Sequence, residues 1–203
     1  MAIEKEDSEM TKIVTILTDS FADWETSLLN AVARSFYGVD VAYATLDGLP
    51  VTSMGGMKVT PDFALGDLDA AGYDALIVCG GGAWEQEDPP DISAVLRKAA
   101  TDGKIVGGIC AGSYQLAKAG LLDAVAHTSN SKADLDETGY RGSSHYRETT
   151  EAVRDGKIVT AAGVAPVSFM AKIMEALGLR DGNLDYYVGL HAAQYGGAQK
   201  AAA

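Results

Sequence analysis

The chain alternates short apolar runs, rich in β-branched residues, with segments of helical spacing. The runs are KIVTILT (12–18), VDVAYATL (39–46), ALIVCG (75–80), KIVGGIC (104–110) and KIVTAAG (157–163). Three of them lack polar alternation, the pattern of strands buried on both faces of a parallel sheet. Residues 23–36 set Trp24, Leu28, Val32 and Ser35 at helical spacing, with Asp23 near the start. Residues 91–101 follow the Pro89–Pro90 pair as a second helical segment. Residues 164–178 align Val167, Met170, Ala171, Met174 and Leu177 on one stripe that ends at Gly178, a suitable C-terminal cap. The alternation predicts an α/β three-layer sandwich on a mainly parallel sheet, with ligands at the carboxyl ends of the strands. Segment 51–69 differs: Gly55–Gly56 between Met54 and Met57 predicts a hairpin of short strands, added antiparallel to the sheet. With no linker and no internal repeat, one domain is expected over 12–192, between flexible tails at 1–11 and 193–203.

Composition supports a packed core, with 47% hydrophobic and 22% charged residues in a chain of 203. The net charge of −12 repels phosphate backbones and anionic lipids, so no nucleic-acid or membrane partner is expected. No apolar run approaches the roughly 18 residues of a spanning helix. The start, MAIEKEDSEMTK, lacks a signal peptide's apolar stretch. The two cysteines, Cys79 and Cys110, form no disulfide framework. A cytoplasmic protein is expected.

Chemistry concentrates at predicted strand ends. Cys110 lies in Gly-x-Cys-x-Gly, between a valine-rich run and a helical pattern. A nucleophile at a strand-to-helix turn needs such glycines, because side chains there clash; Gly108 and Gly112 meet that demand. A thiol at a helix N-terminus is expected to have a lowered pKa. The alternative is a buried structural cysteine. In VCGGGAWEQED (78–88), Gly80, Gly81 and Gly82 permit close backbone approach to a ligand. The N–H groups of this loop and of Ala111 are candidates for the two halves of an oxyanion hole. The loop lacks Gly-Lys-Ser/Thr and Gly-x-Gly-x-x-Gly, and no cofactor or metal is expected. Trp84 reads as a pocket rim or an interface residue. Glu25, in the segment 19–30, reads from the pattern alone as a solvated helix residue; near a thiolate it would be driven toward its protonated form. Cys79 reads as a core cysteine, with a resolving partner for Cys110 as the alternative. Tyr186–Tyr187 with Trp84 read as an aromatic dimer patch or as core.

ICAG at the turn, WET early in the chain, the Gly-rich loop after the third run, SMGGMKVTPDFALGDLD, and DGKIVTAAG before a last helix occur in one order. Together they resemble the DJ-1/PfpI family of the class I glutamine amidotransferase-like superfamily, over roughly residues 12–180. The resemblance implies a flavodoxin-like sandwich, usually dimeric. It implies that Cys110 is the nucleophile-elbow cysteine, Glu25 the carboxyl that contacts it, and Gly81 and Ala111 the oxyanion-hole amides. The activities it implies are peptidase or amidase, glyoxalase or deglycase, isocyanide hydration and redox sensing, on a small-molecule or peptide substrate. Family members with a Cys–His pair carry the histidine in a leucine-leucine-aspartate segment. Here that segment is LLDAVAHTSN (121–130), and ungapped alignment puts Asn130 at the histidine position and His127 three residues earlier. In an extended strand that offset turns the side chain to the opposite face. The candidates for the base are therefore His127 and, on GSSHYRE, His145; Asn130 is a hydrogen-bonding candidate that takes no proton. His191 reads as surface.

Three functions stay open. One is a cysteine-dependent hydrolase, amidase or aldehyde-adduct enzyme. Another is a redox sensor through oxidation of Cys110. The third is a glutamine amidotransferase-like protein, against which His191 is followed by Ala192 and Ala193 rather than by the His-x-Glu of true glutaminases.

Overall fold

The computed structural model describes residues 10–68 and 72–196. Its main sheet has seven strands in the order β5-β2-β1-β6-β7-β9-β8. These are β1 (Lys12–Ile16), β2 (Asp40–Thr45), β5 (Phe63–Ala64), β6 (Ala75–Val78), β7 (Ile105–Ile109), β8 (Val153–Asp155) and β9 (Ile158–Ala161). All pairings are parallel except β8 with β9. The chain starts at β1, moves outward to β2, then crosses back to β6. The order therefore reverses beside β1, the place where such sheets open a crevice at their strand ends.

Both faces of the sheet are covered, which explains why the runs lack polar alternation. Successive residues of one strand enter opposite cores. Val14, Ile16, Leu76, Val78 and Val106 pack with Leu96 of α2 (Ser93–Thr101) and Leu116 of α3 (Gly112–Lys118). Ile13, Ala75, Ile77, Ile105 and Ile109 pack with Leu29 and Val32 of α1 (Asp23–Tyr37), Phe169 and Met174 of α5 (Pro166–Ala176), and Leu184 of α6 (Gly182–Gly196). The sandwich has the expected three layers. A further helix, α4 (Lys132–Glu137), lies in the connection between α3 and β8.

Four expectations are revised. The hairpin around Gly55–Gly56 forms, but β3 (Val51–Thr52) and β4 (Lys58–Val59) make a separate two-stranded sheet. It is tied to the turn after β1 by Ser20 N–H to Thr52 O, Met54 N–H to Phe21 O, and Gly55 N–H to Asp23 Oδ2. In α1 the buried stripe is Glu25, Leu29, Val32 and Ala33, whereas Trp24 is 54% exposed. Trp84 is buried with the α2–α3 layer, where its indole N–H donates to Cys79 O at 2.8 Å, and it also lines the cavity beside Asn130. Tyr187 packs in the opposite layer, so no patch joins it to Trp84. Finally, α6 continues through Gly196, four residues into the segment expected to be a tail. The rest of both expected tails, 1–9 and 197–203, lies outside the described residues.

Candidate active site

Five chain segments meet at the carboxyl edge of the sheet. The β7–α3 turn brings Cys110, the start of α1 brings Glu25, and the loop after β6 brings Gly80. The segment before α4 brings Asn130, and the turn after β9 brings Gly163.

Cys110 has φ +55°, a conformation that side-chain-bearing residues adopt at a cost. The turn is held on both sides. Cys110 N–H donates to Ala161 O at 2.9 Å, and its carbonyl accepts from Ser113 N–H and Ser113 Oγ. Space fixes the glycines around it. A Cβ on Gly112 would sit 2.3 Å from Val78 O, and one on Gly108 would sit 2.9 Å from Leu116 Cδ1. On Gly80 it would meet Glu25 Oε2 at 2.4 Å and Cys110 Cβ at 2.7 Å. On Gly163 it would meet Glu25 Oε1 at 2.9 Å and Cys110 Sγ at 3.1 Å. Gly163 therefore lets the carboxyl and the sulfur approach each other across its backbone.

Glu25 is fully buried, which corrects the solvated reading. Its Oε2 accepts the Gly80 N–H at 2.7 Å, while Oε1, buried near Cys110 on the other side of Gly163, has no hydrogen-bond partner among the described residues. Because Gly80 N–H is engaged in this way, it is unavailable as a substrate donor. Burial pushes the Glu25 carboxyl up to about 7, against Cys110 and Gly80 N–H, with Glu85 adding to the rise. Burial, then the charge of Glu25, pushes the Cys110 thiol up to about 12, against the Asn130 amide and the Ala111 N–H. The expected lowering at a helix N-terminus is thus overturned, by burial first and by the charge of Glu25 second. Placing the remaining proton on Glu25 removes that charge from beside the sulfur. The pair titrates as one unit, and its proton can reside on either atom.

Asn130 takes the place of a histidine at the sulfur. Its Oδ1 accepts the Gly163 N–H at 2.9 Å, which orients the amide, and Nδ2 donates to Cys110 Sγ at 3.0 Å. His127 is fully buried elsewhere. Its ring nitrogens are bonded to Val125 O at 2.8 Å and Tyr140 Oη at 3.0 Å, and burial lowers its pKa. His145 closes the short 3-10 turn Ser143–His145, and its carbonyl accepts the His127 N–H. His191 sits on α6 against Tyr187, at 4.9 Å between ring centroids. Among the described residues no histidine hydrogen-bonds Cys110, and the two histidines expected as bases are brought to each other instead.

Of the two oxyanion candidates, Ala111 N–H lies beside the sulfur. Gly81 is bracketed by the bonds Ala22 N–H to Gly80 O and Gly82 N–H to Ser20 O, and its own N–H takes part in neither. Cys79 is buried, with its sulfur between Thr26 Oγ1 and Ala22 O, and burial pushes its thiol up to about 12. It behaves as the core cysteine. A cavity of about 520 Å³ opens from Asn130 and runs between Tyr114, Glu85, Asp134 and Glu137. Tyr114 and Asp134 are site neighbours that sequence reasoning missed. Ser131-x-x-Asp134 marks a helix start, but nothing in it signals the direction of the carboxylate.

The sequence matches the DJ-1/PfpI family over residues 11–176. It is 33% identical over 170 residues to a Bacillus subtilis protein named an uncharacterized protease, covering 83% of this chain and 84% of that one. It is 29% identical over 142 residues to a glutathione-independent glyoxalase of Caenorhabditis elegans, covering 69% and 74%. The crystal structure of a DJ-1 superfamily protein from Agrobacterium tumefaciens superposes with a TM-score of 0.89 at 44% identity, over 92% of this chain and all of that one. With its elbow cysteine, the buried carboxyl beside it and a family match spanning the sandwich, this chain belongs to the DJ-1/PfpI family.

Proposed function

We propose that this protein is a cysteine-dependent enzyme that adds Cys110 to the carbonyl carbon of a small aldehyde or of an amide. One observation carries the reading: the sulfur stands at a strained turn between a buried carboxyl and an oriented amide donor, with Glu25 as its titratable partner. In the addition, Sγ forms the bond to carbon and the carbonyl π pair moves to oxygen. That oxygen lies toward Ala111 N–H and Gly81 N–H and takes the proton of Glu25. One proton is enough to form a hemithioacetal from an aldehyde. Amide cleavage requires a further proton for the leaving nitrogen, and no histidine is at hand to deliver it. Aldehyde chemistry is therefore the first reading and amide hydrolysis the second. Relatives named glyoxalase and protease are compatible with both.

Turnover of small aldehydes and dicarbonyls by wild type and Cys110→Ala, with folding checked by circular dichroism, tests this reading. All turnover should vanish in the variant; equal rates would end the proposal. The cavity beside Asn130 adds a second expectation. Glu85, Glu87, Asp134 and Glu137 line it against the single cation Lys118, so anionic reagents should be disfavoured. The iodoacetate-to-iodoacetamide rate ratio at Cys110 should fall about fivefold below that of a free thiol, and high salt should relax it. A ratio equal to the free thiol's would remove the cavity as the approach route.

A further inference from the structure

Asn130 is held at the sulfur by more than Gly163. Tyr114, one turn into α3, is nearly buried, and its hydroxyl donates to Asp134 Oδ2 at 3.1 Å. Asn130 faces the same cavity as Tyr114 and Asp134, and it directly precedes Ser131, the N-cap of α4. Asp134 is itself fixed, because Ser131 Oγ accepts its backbone N–H at 3.1 Å and so starts α4. In a Ser-x-x-Asp start the acid commonly reaches back to the N-cap amide. Here its Oδ2 is turned to Tyr114 instead. These bonds tie the start of α4, immediately after Asn130, to α3 through Asp134 and Tyr114, while Asn130 itself donates to Cys110.

We propose that Tyr114 and Asp134 are positioning residues for Cys110, holding the Asn130 amide in the one orientation that donates to the sulfur. The inference rests on the reading of Cys110 as a reactive thiol. It assigns to a Tyr–Asp pair the orienting task that a carboxylate performs for histidine in a Cys–His site. The physical difference is that Asn130 does not titrate. The group that sets the charge state of the sulfur is then Glu25 on α1, with Glu85 acting on Glu25, while Tyr114 and Cys79 are the other titratable groups that face Cys110. His127, with both ring nitrogens bonded elsewhere, contributes no step to the profile.

The test is the pH profile of Cys110 alkylation by iodoacetamide, read by peptide mass spectrometry to separate it from Cys79. Tyr114→Phe keeps the ring and removes the hydroxyl. It should slow the reaction at neutral pH by about fivefold, as expected when a charge-assisted donor is loosened, with the midpoint displaced upward. The limiting rate at alkaline pH should be unchanged. Asp134→Ala should act in the same direction, and Asp134→Asn should restore most of the rate, because its Oδ1 still accepts from Tyr114. Tyr140→Phe, which loses a hydroxyl bonded to His127, should leave the profile in place. A Tyr114→Phe profile superimposable on wild type overturns the proposal. So does a uniform loss at every pH without a displaced midpoint, which marks packing alone. If Tyr114→Phe does not fold, the Asp134 pair decides by itself. A wild-type Cys110 no more reactive than a free thiol at any pH would remove the enzymatic reading itself. Normal wild-type reactivity with unmoved variants removes only the positioning role.

Discussion

Exchange of Glu25 for glutamine is expected to make the protein more stable above neutral pH and to lower the pKa of Cys110. Both effects come from deleting one buried negative charge. The Glu25 carboxyl rises from 4.5 to about 7 on folding, first through burial. A carboxyl raised in this way binds more protons folded than unfolded between those two values. Stability therefore falls as pH rises through that window, and the penalty is complete above about 7. Glutamine carries no such penalty, and its oxygen can still accept the Gly80 N–H. The gain above neutral pH should be on the order of 2–3 kcal/mol. It should vanish in acid, where wild-type Glu25 is protonated and resembles glutamine. The thiol of Cys110, held up first by burial and then by the charge of Glu25, should titrate lower in the variant and in a single step. Thermal melts across the pH range and the alkylation profile of Cys110 read the two effects separately. A stability gain independent of pH, or a thiol that rises, would contradict the coupling between these two groups.

The second large effect is steric. Gly112→Ala drives a methyl to 2.3 Å from Val78 O, at the end of a central strand that has no room to retreat. The elbow of Cys110 is built on that close approach, so the substitution should cost at least about 3 kcal/mol. For a domain of this size that corresponds to a melting temperature lower by roughly 10 °C. Alkylation of Cys110 should change as well, because the turn shifts with the helix behind it. Gly189→Ala is the matched control. It lies within α6, its Cβ would meet nothing within 4 Å, and the change should stabilise by about 0.5–1 kcal/mol. Equal melting temperatures for Gly112→Ala and wild type would show that the turn has slack that these contacts deny.

The two effects mark different kinds of legibility. The demand for glycine at 108 is local, because a Cβ there meets Leu116 and the backbone of Gly112 and Ser113 in the same turn; at 112 the motif marks the glycine, but the atom that excludes a side chain is Val78 O on the neighbouring strand. The environment of Glu25 could not be read in that way. Its helix carries Trp24 and Leu28 in a plausible apolar stripe, yet the face that buries is the one holding Glu25 and Leu29. Which face turns inward depends on how α1 packs on α5 and on the strand ends, and a helix one step from its neighbour in phase looks the same in sequence. The same limit applied to Trp84, whose indole finds a carbonyl acceptor inside the fold.

The sequence by itself determined the α/β sandwich, its five long strands, the elbow at Cys110 and the family to which the chain belongs. Periodicity, β-branching and glycine placement are local, and they survive without coordinates. Only the tertiary structure decided who stands beside the sulfur. Asn130 reaches Cys110 from 20 residues away and Glu25 from the start of α1 in the sheet's first crossover, while His127 turns into a cage of Val125 and Tyr140. Burial, the charge state of a coupled pair and the direction of an amide depend on contacts between segments distant in the chain, and such contacts exist only once the sheet has brought its strand ends together.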